Sequence, residues 1–486
     1  MNDNPRAFAR GVVWIGGARL LTQTLSWATT LVVVRFLSAA DYGVMGMASA
    51  FLAIAAIFSE FGIGTAIVAA TDLPDARLRQ MHGVALLTGA AGFAACLACA
   101  WPLGLFFREP RLPLVVSVMS VTFLIDALRT VPVALLQRRL DYRRTAVVET
   151  CRSLTGTVVV LAAAFAGLGY WSLVLGAVSA SIVASGIATV AMPVPVRAPE
   201  WDQVRGPLRV AGNLLVDRLA WQAYSYGDFA VVGRLFGSAL LGQYTLAWNL
   251  ASLPGQKLTN LLTSVSSSFL PSLRGDMAEM RHYFLVLVES IALLTMPLLL
   301  GLAFVAPDAI TVGFTNKWAP AILPLRLLAL YSCIQCVSVP LSQVLVATGR
   351  SHIARTNSLV TLSVLIPGFV LGAQLGGIVG VAAAWTALFP IVVLRPYHHA
   401  RQALGFEHHA VAAALLPAVT ITVGMLASLA LVHLALTSAS PGQRLAAEVV
   451  TGALAALLVL RLAFWSKVLA ARDLLRSARE SAPATN

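Results

Sequence analysis

The chain has 486 residues, of which 58% are hydrophobic and only 11% are charged, and its mean hydropathy is +0.81. A soluble domain carries about 25% charged residues because water covers its surface, so this composition excludes a soluble globular fold. The formal net charge of +13 is typical of a membrane protein whose Lys and Arg collect in cytoplasmic loops. No basic run is interleaved with exposed aromatic residues, and we therefore expect no nucleic-acid partner.

Apolar stretches of about 20 residues recur along the chain, each long enough to cross about 30 Å of hydrocarbon. They predict an all-α integral membrane protein with about fourteen transmembrane helices. No small-residue cleavage site follows the first stretch, so we expect an uncleaved first helix. In chain order the predicted spans are 12–34, 43–70, 81–107, 112–136, 146–166, 170–192, 208–232, 239–268, 283–305, 321–346, 356–375, 377–394, 410–436 and 445–465.

The basic residues fix an expected orientation for these spans. With the N-terminus in the cytoplasm, about 21 Lys and Arg residues fall in inside segments and about 6 in outside segments. A missed helix in the middle of the chain would destroy this asymmetry. We therefore expect both termini in the cytoplasm, and a multi-pass protein of the bacterial inner membrane.

Polar connections divide the predicted helices into groups. Six helices precede the connection 193–207, six follow it, and two stand apart after the loop RPYHHARQALGFEHH. We expect an N-terminal six-helix lobe (1–195), a C-terminal six-helix lobe (208–396), an extra helix pair (410–466) and a cytoplasmic tail (467–486). Residues 34–48 and 233–247 share an Arg, a small-residue turn and a Tyr, which indicates an internal repeat of the kind common in transporters.

Several of these segments also carry a family resemblance. The segments are RFLSAADYGVMGMASAF, VPVALLQRRLDYRRTAVVET, AGLGYWSLVLG, DFAVVGRLFGSALLGQYTLAWNLASLP, NKWAPAILPLRLLAL and VATGRSHIAR. In this order they resemble the polysaccharide transporter family, the Wzx-like oligosaccharide-lipid flippases, which shares a superfamily with multidrug and toxin extrusion proteins. The resemblance implies two six-helix lobes in a V around a central cavity, and transfer of an undecaprenyl-diphosphate-linked sugar repeat between leaflets.

Polar side chains recur along single faces of the first and seventh predicted helices, which open the two halves, and of the eighth. The first helix carries a stripe of Arg19, Gln23, Ser26 and Thr30, and the seventh and eighth helices carry comparable ones. Such faces line a water-filled cavity or, alternatively, pack helices together. The candidate substrate-binding residues are Arg19, Gln23, Asn213, Arg218, Gln222, Tyr224 and Lys257.

Arginine suits phosphate because its guanidinium binds two oxygens at once. The resemblance implies that cationic cavity residues meet the diphosphate, and Arg19 and Arg218 are the best candidates for that role. The acidic residues Glu60, Asp217 and Asp228 either bind a coupling ion or balance the arginines, and the sequence leaves both interpretations open.

Other polar residues have simpler interpretations. Asp126 with Arg129, and Glu149 with Arg152, are three residues apart and predict intrahelical pairs. Glu448 is near a helix end, where its side chain can reach the interface. The two C-x-x-C pairs predict helix packing, because no further Cys or His completes a metal site. The paired histidines of 398–399 and 408–409 predict a solvated loop. We expect no metal and no cofactor.

The favoured function is an oligosaccharide-lipid flippase that works by alternating access. The alternatives are a drug/cation antiporter of the same superfamily and a lipid II flippase. An enzyme is disfavoured, because no loop exceeds about 20 residues and no nucleotide-binding motif is present. The expected partners are a lipid-linked oligosaccharide, membrane lipids, and polysaccharide polymerase and export machinery, with the chain acting as a monomer.

Overall fold

A computed structural model describes residues 29–60, 62–69, 74–139, 141–198, 201–273 and 275–463. Within these ranges the regular structure is helical and contains no strand, which confirms the predicted all-α class. The helices are α1 (described over 29–36), α2 (Ala39–Glu60), α3 (Ile63–Ala69), α4 (Asp75–Phe107), α5 (Leu112–Arg138), α6 (Tyr142–Phe165), α7 (Trp171–Ala191), α8 (Trp201–Phe269), α9 (Met277–Phe314), α10 (Ile322–Ala347), α11 (Ser351–Leu404), α12 (His408–Ala435) and α13 (Pro441–Ala463).

The two longest helices each contain a reversal at glycine. In α8 the reversal is at Gly237, whose φ of 78° is left-handed, and in α11 it is at Gly376 and Gly377. A Cβ added to Gly380 would lie 1.9 Å from the Gly372 carbonyl oxygen. Residues eight apart in a straight helix are about 12 Å apart, so the chain turns back on itself. We call the parts α8a (201–236), α8b (238–269), α11a (351–375) and α11b (378–404).

The membrane spans follow the apolar runs closely outside α1 and α8, where the predicted spans 12–34, 208–232 and 239–268 stay predictions. Ten helices in the described part of the chain are long and apolar enough to cross a membrane, and the stretch 355–404 among them contains both halves of α11. The predicted separate spans at 356–375 and 377–394 are therefore confirmed. The continuous helix predicted for 43–70 is wrong, because α2 ends at Glu60 and Gly62 has a left-handed φ of 66° before α3 begins.

One predicted loop is helical instead. The sequence predicts that the twelfth span ends at 394, but α11b continues to Leu404 and ends at Gly405, whose φ is 65°. A glycine in the left-handed conformation is a common helix C-cap, and it stops the helix here. His398 and His399 therefore lie on a helix, where His398 Nε2 is 2.9 Å from Gln402 Nε2.

The described helices form two compact units, Met1–Gly242 and Gln243–Asn486. In the first unit α4 packs against α5, and α6 against α7; in the second, α9, α10 and α11 pack together and α12 and α13 add to α9. The lobe boundaries expected from the sequence (1–195, 208–396 and 410–466) remain predictions.

In the first unit, α2 and the start of α8b cross at very close range. A Cβ on Gly43 would lie 1.7 Å from the Ser238 carbonyl oxygen, and a Cβ on Gly242 would lie 1.7 Å from the Ala39 carbonyl oxygen. Only glycine fits at either position. The contacts are reciprocal: when the repeat segments are aligned at Arg35 and Arg234, Gly43 matches Gly242 and Ala39 matches Ser238.

Aromatic side chains form a core in the second unit. The Tyr331 and Trp385 ring centroids are 4.4 Å apart, and Trp248 lies 5.8 and 5.4 Å from them. Both Trp385 and Tyr331 are buried. All five cysteines are free thiols, and a Cβ on Gly255 would lie 2.8 Å from Cys336 Sγ, so Cys336 fills a close helix contact as the packing interpretation predicts.

Candidate functional site

Four charged side chains form a connected network inside the first unit. Arg129 Nε lies 2.7 Å from Asp126 Oδ1 within α5, and Arg152 Nη1 lies 3.8 Å from Glu149 Oε2 within α6. The two predicted intrahelical pairs are thus present. They are also joined across helices, because Arg129 Nη1 lies 3.7 Å from Glu149 Oε1. Ser181 of α7 donates to Asp126 Oδ2 at 3.4 Å, so three helices share the network.

The α5 part of the network lies well inside its helix. Asp126 is 14 residues from the start of α5 and 12 from its end, which corresponds to about 21 Å and about 18 Å along the axis. A charge at this depth in hydrocarbon costs at least about 2.5–3.5 kcal/mol unless it is paired. Arg129 is paired accordingly, and its side chain is only 17% exposed.

A cavity of about 420 Å³ opens beside this network, within the first unit. Helix α6 presents one continuous face to it, since its lining residues recur at three- and four-residue spacing from Glu149 to Val160. The end of α1, α2 and α7 supply the other walls. Its polar lining includes Thr29, Thr30, Tyr42, Arg152, Ser153 and Thr157.

Small residues bring α6 and α7 together on one side of the cavity. A Cβ on Gly176 would lie 2.2 Å from Val160 Cγ2 and 3.2 Å from the Gly156 carbonyl oxygen. Glycines at such positions let two helix backbones approach closely within a membrane. This close contact fixes the face of α6 that carries Glu149 and Arg152.

The cavity has the chemistry to hold a polar, anionic group. The Arg152 side chain is 39% exposed, and its 3.8 Å separation from Glu149 is longer than a hydrogen bond. A guanidinium in this position can bind phosphate oxygens, and the surrounding hydroxyls can bond to sugar hydroxyls. The volume is within the usual range for ligand pockets, about 300–1,000 Å³.

The structure describes some of the predicted site residues and not others. Gln222 and Asp228 of α8a are buried, Tyr224 is half-buried, and Lys257 of α8b is exposed. Asp228 Oδ1 accepts a hydrogen bond from the Phe229 amide at 2.9 Å. Thr30, from the stripe on the first helix, lines the cavity. Outside the described residues or side chains are Arg19, Gln23, Glu60, Asn213, Asp217 and Arg218.

A second polar cluster joins four connections at one end of the first unit. Arg111, after α4, donates from Nε to Glu109 Oε1 at 2.8 Å and from Nη2 to Glu109 Oε2 at 3.0 Å. Arg111 Nη1 also lies 3.7 Å from Asp41 Oδ1, and Arg111 Nη2 donates to Ser238 Oγ at 3.4 Å. The Arg111 Cζ atom lies 5.6 Å from the Tyr170 ring centroid. No local pattern in the sequence predicts this cluster, because Arg111 and its partner Ser238 are 127 residues apart in the chain.

These contacts determine the ionisation of Glu109 and Arg111, which both lie in the connection between α4 and α5. Burial opposes ionisation of Glu109, but hydrogen bonds from Arg111 and Ser238 outweigh it and lower the pKa of the Glu109 carboxyl. The hydrogen bond to Glu109 raises the pKa of Arg111. Both groups therefore stay charged at neutral pH, and their ion pair holds the connection together.

The long apolar helices, with paired charges inside them, define a multi-pass α-helical membrane protein. Residues 32–323 match the family described as "Polysaccharide biosynthesis protein". Because that match covers more than half of the chain, the protein belongs to this family.

Two similar relatives carry names from cell-surface polysaccharide synthesis. The lipopolysaccharide biosynthesis protein WzxC of Escherichia coli (strain K12) is 24% identical over 401 residues, which cover 79% of this chain and 80% of WzxC. The succinoglycan biosynthesis transport protein ExoT of Rhizobium meliloti (strain 1021) is 24% identical over 331 residues, or 67% of this chain and 66% of ExoT.

Solved transporter structures share the fold. The lipid II flippase MurJ, in an inward closed conformation, matches with a TM-score of 0.76 and 14% identity, over 95% of this chain and 100% of MurJ. An inward-facing multidrug resistance MATE family transporter matches with a TM-score of 0.66 and 13% identity, over 79% of this chain and 94% of that one. At these identities the likeness concerns the fold alone.

Proposed function

We propose that this protein moves a polyprenyl-diphosphate-linked oligosaccharide from the inner to the outer leaflet of the bacterial inner membrane. The observation that carries the proposal is the family match over 32–323, together with relatives named for lipopolysaccharide and succinoglycan biosynthesis. The product would be an exopolysaccharide, O-antigen or capsule. We expect a monomer with both termini in the cytoplasm, supplying a polysaccharide polymerase and export machinery.

The chemistry of the described cavity supports an anionic, sugar-bearing substrate. Arg152 offers a partly exposed guanidinium, and Glu149 and Arg129 hold it in place through the charge network. We propose that Arg152 contacts the diphosphate or an acidic sugar, alongside the sequence candidates Arg19 and Arg218. The polyprenyl tail would stay in lipid while the head crosses by alternating access.

Leaflet exchange of labelled undecaprenyl-diphosphate-oligosaccharide in liposomes tests this proposal. We compare wild type with Arg19→Ala, Arg152→Ala, Arg152→Lys and Arg218→Ala, and use Arg461→Ala as the matched control, because Arg461 is an exposed arginine in the last turn of α13. A hydrogen bond to a charged group contributes about 1.5–3 kcal/mol, so loss of a substrate contact predicts exchange slower by about 10- to 100-fold. Arg152→Lys keeps the charge but loses bidentate binding, and we expect an intermediate rate.

The outcomes separate the function from the site. Exchange that persists unchanged in all four variants would keep the flippase and discard these arginines as substrate contacts. Exchange of lipid II in preference to the oligosaccharide lipid would favour a lipid II flippase. Cation-coupled dye efflux without any lipid exchange would overturn the proposal in favour of a drug antiporter.

A further inference from the structure

Four ionisable side chains meet in the second unit where α12 ends, α13 begins and both pack on α9. They are Asp308 of α9, His433 of α12, and Arg444 and Glu448 of α13. Asp308 and Glu448 are buried, with exposures of 6% and 1%. The interfacial position expected for Glu448 from the sequence is therefore wrong: the second turn of α13 faces α12, and this places the carboxylate inside the helix packing.

Hydrogen bonds satisfy both oxygens of the Asp308 carboxylate but only one oxygen of the Glu448 carboxylate. Arg444 Nε donates to Asp308 Oδ2 at 2.6 Å, and Arg444 Nη2 donates to Asp308 Oδ1, so this pair is bidentate. Glu448 Oε1 is bonded to His433 Nδ1 at 2.8 Å. Glu448 Oε2, by contrast, is buried with no hydrogen-bond partner. A buried polar atom without a partner is costly and is rare in native proteins.

We propose that this cluster is a binding site for a divalent transition-metal ion of the Zn²⁺ class. The ligands would be one ring nitrogen of His433, one oxygen of Glu448 and one oxygen of Asp308, and one such atom from each residue lies within 4.8 Å of the others. Imidazole and carboxylate donors together suit Zn²⁺ and its first-row neighbours. Bonds of about 2.0–2.1 Å in a tetrahedron separate ligand atoms by about 3.4 Å, so small side-chain rotations close the site.

The remaining group in the cluster fits this assignment. Arg444 neutralises the charge of Asp308 and fixes the orientation of its carboxylate, whose remaining lone pairs stay available to a metal ion. Residues that hydrogen-bond to metal ligands commonly orient them in this way. Glu448 then supplies the net negative charge that the cation balances, and its second oxygen gains a partner. The His433 side chain is 45% exposed, which gives an ion a route of entry.

A metal here would join three helices. Its ligands come from α9, α12 and α13, so binding would hold the α12–α13 pair on α9 and stabilise the folded state. This inference does not depend on the proposed transport function.

Zn²⁺ binding to the purified full-length protein tests the site, measured by competition with a chromophoric chelator. We compare wild type with Glu448→Gln and His433→Ala, and use His409→Ala as the matched control. His409 Nδ1 lies 3.0 Å from Glu407 Oε2, but both side chains are more than 70% exposed, so this pair resembles the His433–Glu448 contact without the buried third ligand. We expect each site variant to bind one Zn²⁺ fewer per chain, and the control to bind as wild type does.

Thermal unfolding gives a second readout, the change in Tm that Zn²⁺ causes within each protein. A folding defect lowers the Tm with or without Zn²⁺, so it does not produce a difference in this change. Zn²⁺ should raise the Tm of wild type and of His409→Ala relative to chelator, and should leave the Tm of Glu448→Gln unchanged. Glu448→Gln preserves the shape of the side chain, so it should fold without the metal. Equal Zn²⁺ content in wild type and Glu448→Gln, or no Zn²⁺-dependent Tm shift in wild type, would overturn the proposal and leave an ion-pair network alone.

Discussion

Arg111 illustrates how single residues stabilise this protein outside its membrane spans. Its guanidinium bonds to both oxygens of Glu109 and reaches Asp41, Tyr170 and Ser238, which come from three other connections. Asp41 is in turn fixed by Ser38, whose amide donates to Asp41 Oδ2 at 2.9 Å at the start of α2. One arginine therefore connects elements that are separated by up to 127 residues in the chain.

We predict that Glu109→Gln lowers the stability at neutral pH by about 1.5–3 kcal/mol, because a hydrogen-bonded charge is replaced by a neutral amide. The folded-state pKa of Glu109 is lowered, so its contribution is present above the ordinary glutamate pKa of about 4.3 and is lost as the pH falls through the folded-state value. Wild type and variant should therefore converge in acid. Melting temperatures between pH 7 and pH 3 measure this, with the exposed Glu279→Gln as control. A Tm difference that is constant across this range would contradict the ion-pair account.

The network of Asp126, Arg129, Glu149 and Arg152 differs from the Arg111 cluster in its position, because it lies within helices and not in the connections between them. It pairs two positive and two negative charges inside the spans, so each side chain is compensated. Glu149 and Arg152 line the cavity, whereas Asp126 and Arg129 are not among its lining residues. This asymmetry separates the two residues that a substrate can reach from the two that hold them in place.

At the scale of helices, close approach is controlled by glycine. The crossing of α2 with α8b leaves no space for a side chain at Gly43 or Gly242, and the α11 reversal leaves none at Gly372 or Gly380. In a membrane, where lipid tails are as apolar as side chains, such close packing is a main source of helix association. These glycines therefore determine which helices touch.

We predict that Gly43→Ala lowers the Tm strongly, because the new Cβ would lie 1.7 Å from a backbone oxygen of α8b and the helices must separate. The matched control is Gly186→Ala in α7, where nothing lies within 4 Å of the added Cβ. Alanine has the higher helix propensity, by about 0.8–1.0 kcal/mol, so the control should be neutral or stabilising. Thermal unfolding in detergent compares the two. Equal effects would mean that the α2–α8b crossing is not tight in the protein.

At the scale of the whole first unit, connections that are expected on the same side of the membrane meet one another. The segments carrying Ser38, Arg111, Tyr170 and Ser238, all expected outside, meet in one cluster. Two segments expected inside also meet, because the Arg197 amide donates to the Arg79 carbonyl at 3.2 Å. Connections separated by an even number of spans must lie on the same side of a membrane, and these contacts obey that rule.

We predict that reporter fusions distinguish the two sides. Alkaline phosphatase, which is active only after export, should be active when fused in the 436–440 connection before α13 and inactive when fused in the 405–407 connection before α12. The reason is the excess of Lys and Arg in the segments expected inside. A cytoplasmically active reporter such as green fluorescent protein should give the opposite pattern. Activity of the phosphatase at 405–407 would reverse the expected orientation of both termini.

The sequence by itself determined that the protein is an all-α membrane protein and where along the chain most of its membrane spans lie. Hydropathy predicts the spans because burial in lipid depends on local composition, and the hairpin at Gly376 and Gly377 was visible as a break between two apolar runs. The break at Gly62 was missed, because a glycine in an apolar run is equally compatible with a continuous helix.

Only the tertiary structure decided which polar residues meet. Asp126 and Arg129 pair within one turn and were predictable, whereas Arg129 meets Glu149 only because α5 packs beside α6. Asp308 and Arg444 are 136 residues apart, and no local pattern links them. Hydrophobic periodicity specifies the face that a helix buries, but the partner of a buried charge depends on how whole helices pack, and that information is not local in the sequence.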